Sequence, residues 1–265
     1  MNEAELVLTH LLNCDRMSLY LNKDINLTGD KSAQLSSILQ RRMLGEPVQY
    51  ILGETEFMGF KFKIDKRALI PRPETEILVE QALGKLNQAG IFSPKILDLG
   101  TGSGCIAIAM AKNLPRADVW ASDISEDALR LAEENAGLNN VEVKFVQSDI
   151  FSALKAGTYK FDLIISNPPY VSTEEFNSLA KEIFFEPELA LKAGSDGLDF
   201  YRRIISQAAG YLNDGGLLTF ELGLNHAYFV KEMLEKAGFD DLTLIKDYND
   251  IERIVMSKKG LSKNG

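Results

Sequence analysis

The chain is predicted to be an α/β protein: a mostly parallel sheet of seven strands with helices on both faces, preceded by a small helical unit and a β-hairpin. Three observations predict this. From Lys95 onward, short apolar runs alternate with segments of helical period, the pattern of a mainly parallel sheet. The first run leads into a glycine-rich stretch, Asp98-Leu99-Gly100-Thr101-Gly102-Ser103-Gly104, that separates it from its helix. Before residue 75 the pattern differs, with helical spacing followed by a single alternating stretch.

Taken in order, Leu6, Val7, Leu8, Leu11 and Leu12 sit at helical spacing. Met17, Leu19, Tyr20 and Leu21 suggest a second short helix. A third is expected from Lys31 to Leu44, with Leu35, Ile38, Leu39 and Met43 on one face. Residues 1–50 thus form a helical unit, either a cap on the next domain or a recognition domain for a macromolecular substrate. Gly45-Glu46-Pro47-Val48-Gln49-Tyr50 breaks the helical pattern. Thr55 to Ile64 alternates on both sides of Met58-Gly59, which predicts a hairpin within a linker, 51–74. A helix is expected from Thr75 to about Leu86, opening a third unit, 75–265.

Strands are expected near Lys95–Leu99, Asp118–Ser122, Glu142–Val146, Phe161–Ser166, Gly216–Glu221, Leu242–Lys246 and Arg253–Ser257. Helices are expected at Cys105–Asn113, Glu126–Leu138, Leu198–Leu212 and His226–Ala237. The last two strands have no helix between them and predict a terminal hairpin. The tail from Lys258 to Gly265 should fray.

Composition narrows the function. At 45% hydrophobic and 25% charged, the chain is an ordinary globular protein. Its net charge is −9, and residues 1–70 are neutral with nine acidic and nine basic side chains. All the excess negative charge lies in 71–265, which argues against a broad nucleic-acid surface. Two cysteines, Cys14 and Cys105, do not indicate a disulfide framework, and with only His10 and His226 beside them no metal site is expected. No signal peptide and no membrane-length apolar run is present, so the cytoplasm is the expected location and a monomer the expected state.

The segment that carries chemistry is Ser166-Asn167-Pro168-Pro169-Tyr170, directly after the apolar strand Phe161–Ser166. Proline fixes its own φ, lacks an N–H and pushes the preceding residue to an extended conformation. The turn should be stiff and present the side-chain carbonyl of Asn167, the backbone carbonyl of Pro168 and the ring of Tyr170. That set suits a flat –NH2 group on an sp2 carbon. Two acceptors take both hydrogens and the ring covers a face. When the nitrogen attacks an electrophile its N–H groups become stronger donors, so the same acceptors favour the transition state. Taken alone, the segment is equally compatible with a structural Pro-Pro turn.

The glycine-rich stretch points to a cofactor. A dinucleotide fingerprint needs a third glycine at 105, where this chain has Cys105, and there is no Walker lysine. Gly100, Thr101, Gly102, Ser103 and Gly104 after an acidic residue suit S-adenosylmethionine, which has no phosphate to cradle; the alternative is a tight strand-to-helix turn without a ligand. Asp123 ends the second strand and can accept from both ribose hydroxyls. Asp149 follows the third strand and can accept from the adenine amino group, with Ile150 against the base. The order of these strand ends places the methyl donor beside Asn167.

These residues resemble the class I methyltransferases that use S-adenosylmethionine, over roughly residues 75–257. Gly45-x-Pro47-x-Gln49-Tyr50-x-x-Gly53, Leu69-Ile70-Pro71-Arg72-Pro73-Glu74-Thr75-Glu76, Glu186-Pro187-x-x-Ala190-Leu191 and Asp196-Gly197-Leu198-Asp199-x-Tyr201 extend the likeness to nearly the whole chain. Together they resemble the release factor glutamine methyltransferases, the HemK/PrmC family. The resemblance implies a Rossmann-like fold and methylation of the glutamine in the Gly-Gly-Gln loop of class 1 peptide chain release factors, leaving S-adenosylhomocysteine. It implies that Gly100 to Gly104, Asp123, Asp149 and Ile150 bind the cofactor. It also implies that Asn167, Pro168, Pro169 and Tyr170 hold the glutamine and that the N-terminal unit helps dock the release factor. The chain departs from the family's Glu-Ile-Gly-x-x-Gln, reading Glu221-Leu222-Gly223-Leu224-Asn225-His226, and no role is assigned to Asn225 or His226.

Two rival readings remain at this level. One is an amino-methyltransferase acting on adenine or cytosine of nucleic acid, which offers the same flat NH2; the charge of −9 opposes it. The other is a binding module without catalysis, which the intact Asn167-Pro168-Pro169-Tyr170 opposes. Arg72, Glu74 and Glu76 at a helix start are either solvated residues favoured by the helix dipole or part of a closure over the cofactor.

Overall fold

A computed structural model describes residues 2–21 and 27–260. Helix α1 (Glu3–Leu12) is started by Asn2, whose side chain accepts from the Glu5 N–H while Glu5 accepts from the Asn2 N–H. Then come α2 (Arg16–Leu21), α3 (Gly29–Met43) and a one-turn helix α4 (Val48–Leu52) where the sequence predicted only a break. Pro47 provides the entry to α4 and Gly53, at φ +74°, its exit. The buried centre of this unit is small: Val7, Leu11 and Val48, with Leu35 and Ile38 packed against them. Leu39 and Met43, predicted to share the apolar face of α3, are instead 52% and 86% exposed.

The predicted hairpin forms from β1 (Glu54–Phe57) and β2 (Phe60–Lys63). It is built into the main body. Phe57 and Phe62 are buried in the same core as α5 (Pro73–Gln88). Asn135 accepts from the Lys63 N–H at 2.7 Å and donates to its carbonyl at 3.0 Å. Asn139 donates to the Lys61 carbonyl at 2.9 Å. Two amides thus stand in for a third strand and tie the hairpin to the helix that carries them.

That main body alternates β3 (Lys95–Leu99), α6 (Cys105–Asn113), β4 (Asp118–Asp123), α7 (Glu126–Asn139), β5 (Lys144–Gln147) and β6 (Phe161–Ser166). After a short α8 (Thr173–Phe176) come α9 (Asp199–Ala208), β7 (Leu212–Glu221), α10 (Ala227–Lys236), β8 (Phe239–Lys246) and β9 (Glu252–Lys259). The strand order is β5-β4-β3-β6-β7-β9-β8, and β9 pairs antiparallel with both β7 and β8. This is the predicted sheet with its terminal hairpin. Helix α9 ends four residues earlier than its pattern suggested, just before Gly210, and Leu212 begins β7 instead. Lys258 and Lys259, expected to fray, are paired in β9; residues 261–265 of that predicted tail lie outside the described residues.

Two apolar cores cover the two faces of the sheet. One packs α5 and α6 with the hairpin and the other packs α9 and α10. No helix among the described residues is long and apolar enough to cross a membrane.

Candidate active site

The sheet starts at its centre. The chain goes from β3 outward through β4 and β5, then returns to lay β6 on the other side of β3. Between β3 and β6 the following loops diverge, and a crevice opens at the carboxyl ends of both strands. A cavity of about 280 Å³ lies there, close to the lower end of small-molecule sites, about 300–1,000 Å³.

On the β3–β4 side the main chain sets the geometry. The Gly100 and Thr101 N–H groups both donate to the Ser122 carbonyl, at 2.8 and 2.9 Å. Asp123 accepts from the N–H of Gly102 and of Ser125, each at 2.9 Å. Burial pushes the Asp123 carboxyl up and these N–H groups pull it back. Gly100, Thr101, Gly102, Ser103 and Asp123 all line the cavity. Gly104 does not. It starts α6 at φ +83°, where a Cβ would lie 3.0 Å from both Ala132 and Ile108. Its bare backbone lets α6 pack on α7. Beneath the loop, Asp98 is fully buried and accepts from the Thr101 hydroxyl at 2.6 Å and the Ala107 N–H at 3.2 Å. Burial pushes it up to about 7, against those two donors.

Asp149 and Ile150 also line the cavity. Asp149 accepts from Arg203 of α9 at 2.6 Å. Ile150 sits at φ +54°, a left-handed conformation that is strained for a β-branched residue. The Ser148 hydroxyl holds it there, donating to the Ile150 carbonyl at 2.8 Å and accepting from the Ala153 N–H.

On the β6 side, the Ser166 hydroxyl donates to the Leu99 carbonyl at 2.7 Å and locks the two strand ends together. Asn167, Pro168 and Pro169 line the cavity. No N–H among the described residues donates to the Pro168 carbonyl. Asn167 donates through Nδ2 to the Thr75 hydroxyl at 3.2 Å, and Thr75 donates to Glu221 at 2.5 Å. Tyr170 is set back from the wall. Its ring packs on the core around Tyr201, and its hydroxyl is 3.5 Å from Glu221. Gly197, at φ +76°, makes room for the turn, since a Cβ there would meet the Tyr170 carbonyl at 2.4 Å.

Residues 1–53 match the model of the PrmC N-terminal domain, and residues 74–197 that of the methyltransferase small domain. A release factor glutamine methyltransferase of Geobacter sulfurreducens is 42% identical over 259 residues, covering 97% of this chain and 89% of that one. One from Chlorobaculum tepidum is 43% identical over 258 residues, covering 94% and 87%. The chain belongs to the release factor glutamine methyltransferase family. It is therefore a methyltransferase. Solved structures share its fold at lower identity. A methyltransferase from Pyrococcus furiosus is 18% identical with a TM-score of 0.57, covering 88% of this chain and 100% of that one. A T. thermophilus 16S rRNA methyltransferase in complex with AdoMet and guanosine is also 18% identical at 0.57, covering 78% and 49%.

Several other wall residues were given no site role from the sequence, although Thr75, Pro187 and Ala190 lie in the motifs quoted for the resemblance. Phe200, Arg203 and Ile204 come from α9, Pro187, Leu189 and Ala190 from the segment before it, and Thr75 from α5. Arg72 is both a wall residue and a latch. Its guanidinium reaches Glu186 at 2.5 Å, and Glu186 also accepts from the Ile70 N–H at 3.2 Å. Two motifs that carried the resemblance, at 69–76 and 186–191, thus meet over the cavity. Glu76 accepts from the Met58 N–H at 2.5 Å and belongs to the hairpin joint. The sequence offered Arg72 as part of a closure over the cofactor but gave no sign that Glu186 is its partner.

Proposed function

We propose that the chain transfers the methyl group of S-adenosylmethionine to the side-chain amide nitrogen (N5) of the Gly-Gly-Gln glutamine of class 1 peptide chain release factors, in the cytoplasm. The observation that carries the reading is the pair of acceptors at the end of β6. Asn167 turns its NH2 toward Thr75, which leaves its carbonyl for a ligand, and the Pro168 carbonyl is free beside it.

The donor set of the cavity suits this cofactor. Arg67, Arg72 and Arg203 are each paired, with Asp65, Glu186 and Asp149, so among the described residues no unpaired cation lines the cavity to hold a diphosphate. The loop from Gly100 to Gly104 has no basic residue. Asp123 and Asp149 offer acceptors for hydroxyl and amino groups, and carboxylates favour a ligand that carries a positive charge. Gly100, Thr101, Gly102, Ser103, Asp123, Asp149 and Ile150 would hold the cofactor. When bound, it supplies a methyl group on a positively charged sulfur.

Asn167 and Pro168 then do two things. They fix the glutamine amide with its nitrogen toward the methyl group, which removes the orientational part of the barrier. They also accept its two N–H groups, which become stronger donors as the nitrogen gains positive charge. The proton lost after transfer comes from a strongly acidic cation and passes to water, so no tuned base is needed. The exposed apolar side chains of the N-terminal unit, Leu39, Met43 and Leu44, support a docking role for residues 1–50, with the hairpin of 51–74 as its joint to the catalytic unit 75–265.

Methyl transfer from labelled S-adenosylmethionine tests the proposal. The acceptors are unmethylated release factor, the same protein with its Gly-Gly-Gln glutamine replaced by alanine, and bulk DNA and RNA. Label on the first alone is expected. Label on nucleic acid, or equal label on both proteins, would overturn the assigned substrate.

A further inference from the structure

We propose that Thr75 and Glu221 form a one-way hydrogen-bond relay that holds the Asn167 amide with its carbonyl facing the substrate, making both of them positioning residues for methyl transfer. The proposal rests on the role given above to Asn167.

An asparagine amide has two orientations of nearly equal shape. Only one of them presents an acceptor to an incoming –NH2; the other sets donor against donor. A threonine hydroxyl next to Asn167 does not choose between them, because it can donate or accept. The choice comes from the next residue. Glu221 lies 2.5 Å from the Thr75 hydroxyl, and a carboxylate only accepts. The Thr75 hydrogen is thereby committed to Glu221. What Thr75 has left for Asn167 is a lone pair, and the group that must face it is the NH2, 3.2 Å away. The carbonyl is turned to the cavity.

The relay joins three elements that are distant in sequence: the first turn of α5, the turn after β6 and the end of β7. Thr75 and Glu221 are each 2% exposed, so the bond between them is largely shielded from bulk water. Glu221 makes no ion pair among the described residues. A buried carboxylate without a cation is costly, and a glutamine would fill the same space. A glutamine, however, could turn its own NH2 to Thr75 and reverse the whole chain of donors. The carboxylate is what makes the relay directional.

A pH dependence follows. Burial pushes Glu221 up to about 7, with the Thr75 hydroxyl opposing. Below that pH a protonated Glu221 can donate, Thr75 is released to donate to Asn167, and the amide can turn over. The charged and titratable groups that face Glu221 are Arg72 and Glu74 at the start of α5, Tyr170, Arg253 of β9, Cys105 of α6 and Tyr201 of α9. Asp98, also pushed up to about 7, lies under the glycine loop and is the group to separate from Glu221.

The test is kcat and KM for release factor at saturating S-adenosylmethionine, from about pH 6 to about pH 9. The wild-type chain is compared with Thr75→Val, Thr75→Ser, Glu221→Gln, Asp98→Asn and Asn167→Ala. Direct S-adenosylmethionine binding serves as the check that each variant is folded. Thr75→Val is expected to lower kcat about 10-fold or more, since a misaimed acceptor loses the aligned geometry. Thr75→Ser is expected to recover most of that loss. In the wild type kcat should fall on the acid side of about pH 7. That limb should vanish in Glu221→Gln and persist in Asp98→Asn. If Thr75→Val keeps wild-type kcat, or the acid limb survives in Glu221→Gln, the relay is wrong even where Asn167→Ala is inactive. Full activity in Asn167→Ala would instead sink the reading of Asn167 itself. Should Glu221→Gln not fold, the Thr75→Val and Thr75→Ser pair decides.

Discussion

The two sides of the cavity are held in place by different means. At the ends of β3 and β4, main-chain N–H groups fix the loop to Ser122 and Asp123. At the ends of β6 and β7, side chains do the positioning, through Asn167, Thr75 and Glu221. The difference matches the distinct tasks proposed for the two sides. A backbone cradle suits the part of a cofactor that takes no part in the reaction. An aimed pair of acceptors suits a group whose charge changes during reaction. Variants on the first side should therefore alter cofactor affinity, and variants on the second side turnover.

The largest effect is expected for Asn167→Ala. On the proposed role it removes one of two transition-state acceptors, and loss of one such group costs on the order of 100-fold or more in kcat. S-adenosylmethionine affinity, measured by calorimetry, should stay near wild type. Asp123→Ala should do the reverse, weakening cofactor binding by about 10-fold to 100-fold, the worth of about 1.5–3 kcal/mol in hydrogen bonds to a charged group. Its kcat at saturating cofactor should change little, and a large fall there would break the comparison.

A smaller effect separates folding from binding. The Asp98 carboxyl is pushed up to about 7 in the fold, against about 3.9 in an unfolded chain. Between those two values the folded state holds the extra proton. Stability from this group is therefore present at low pH and lost as pH rises toward about 7. Asp98→Asn should flatten this part of the profile of melting temperature against pH; an unchanged slope would contradict the burial cost assigned to Asp98. The smallest change in stability is expected for Met43→Ser combined with Leu44→Ser, within about 0.5 kcal/mol as for other exposed sites. If this face docks the release factor, the KM for that substrate should nevertheless rise several-fold.

The parts legible in the sequence were those set by local pattern. Period 2 and period 3.6 gave the strands and most helices, and glycines, aspartates and prolines marked the loops at strand ends. Ends that depend on chain-breaking residues were less legible, as with α9 before Gly210 and the short α4 after Pro47. Gly104 was expected to bind the cofactor and Tyr170 to hold the glutamine, but motif spacing shows adjacency along the chain and not which way a residue faces. Neither lines the cavity. Thr75 and Glu221 were invisible as a pair because 146 residues separate them and only the pairing of β6 with β7 and the packing of α5 bring them together. Leu39 and Met43 repeated with helical period, yet the small core of Val7, Leu11 and Val48 leaves them outside.

The most direct measurement is the mass spectrum of the release-factor peptide that contains Gly-Gly-Gln, after incubation with S-adenosylmethionine and either the wild-type chain or Asn167→Ala. One added methyl group on the glutamine side chain is expected with the wild type, and almost none with the variant. A methyl group on another residue, or equal methylation by both proteins, would contradict the proposed reaction.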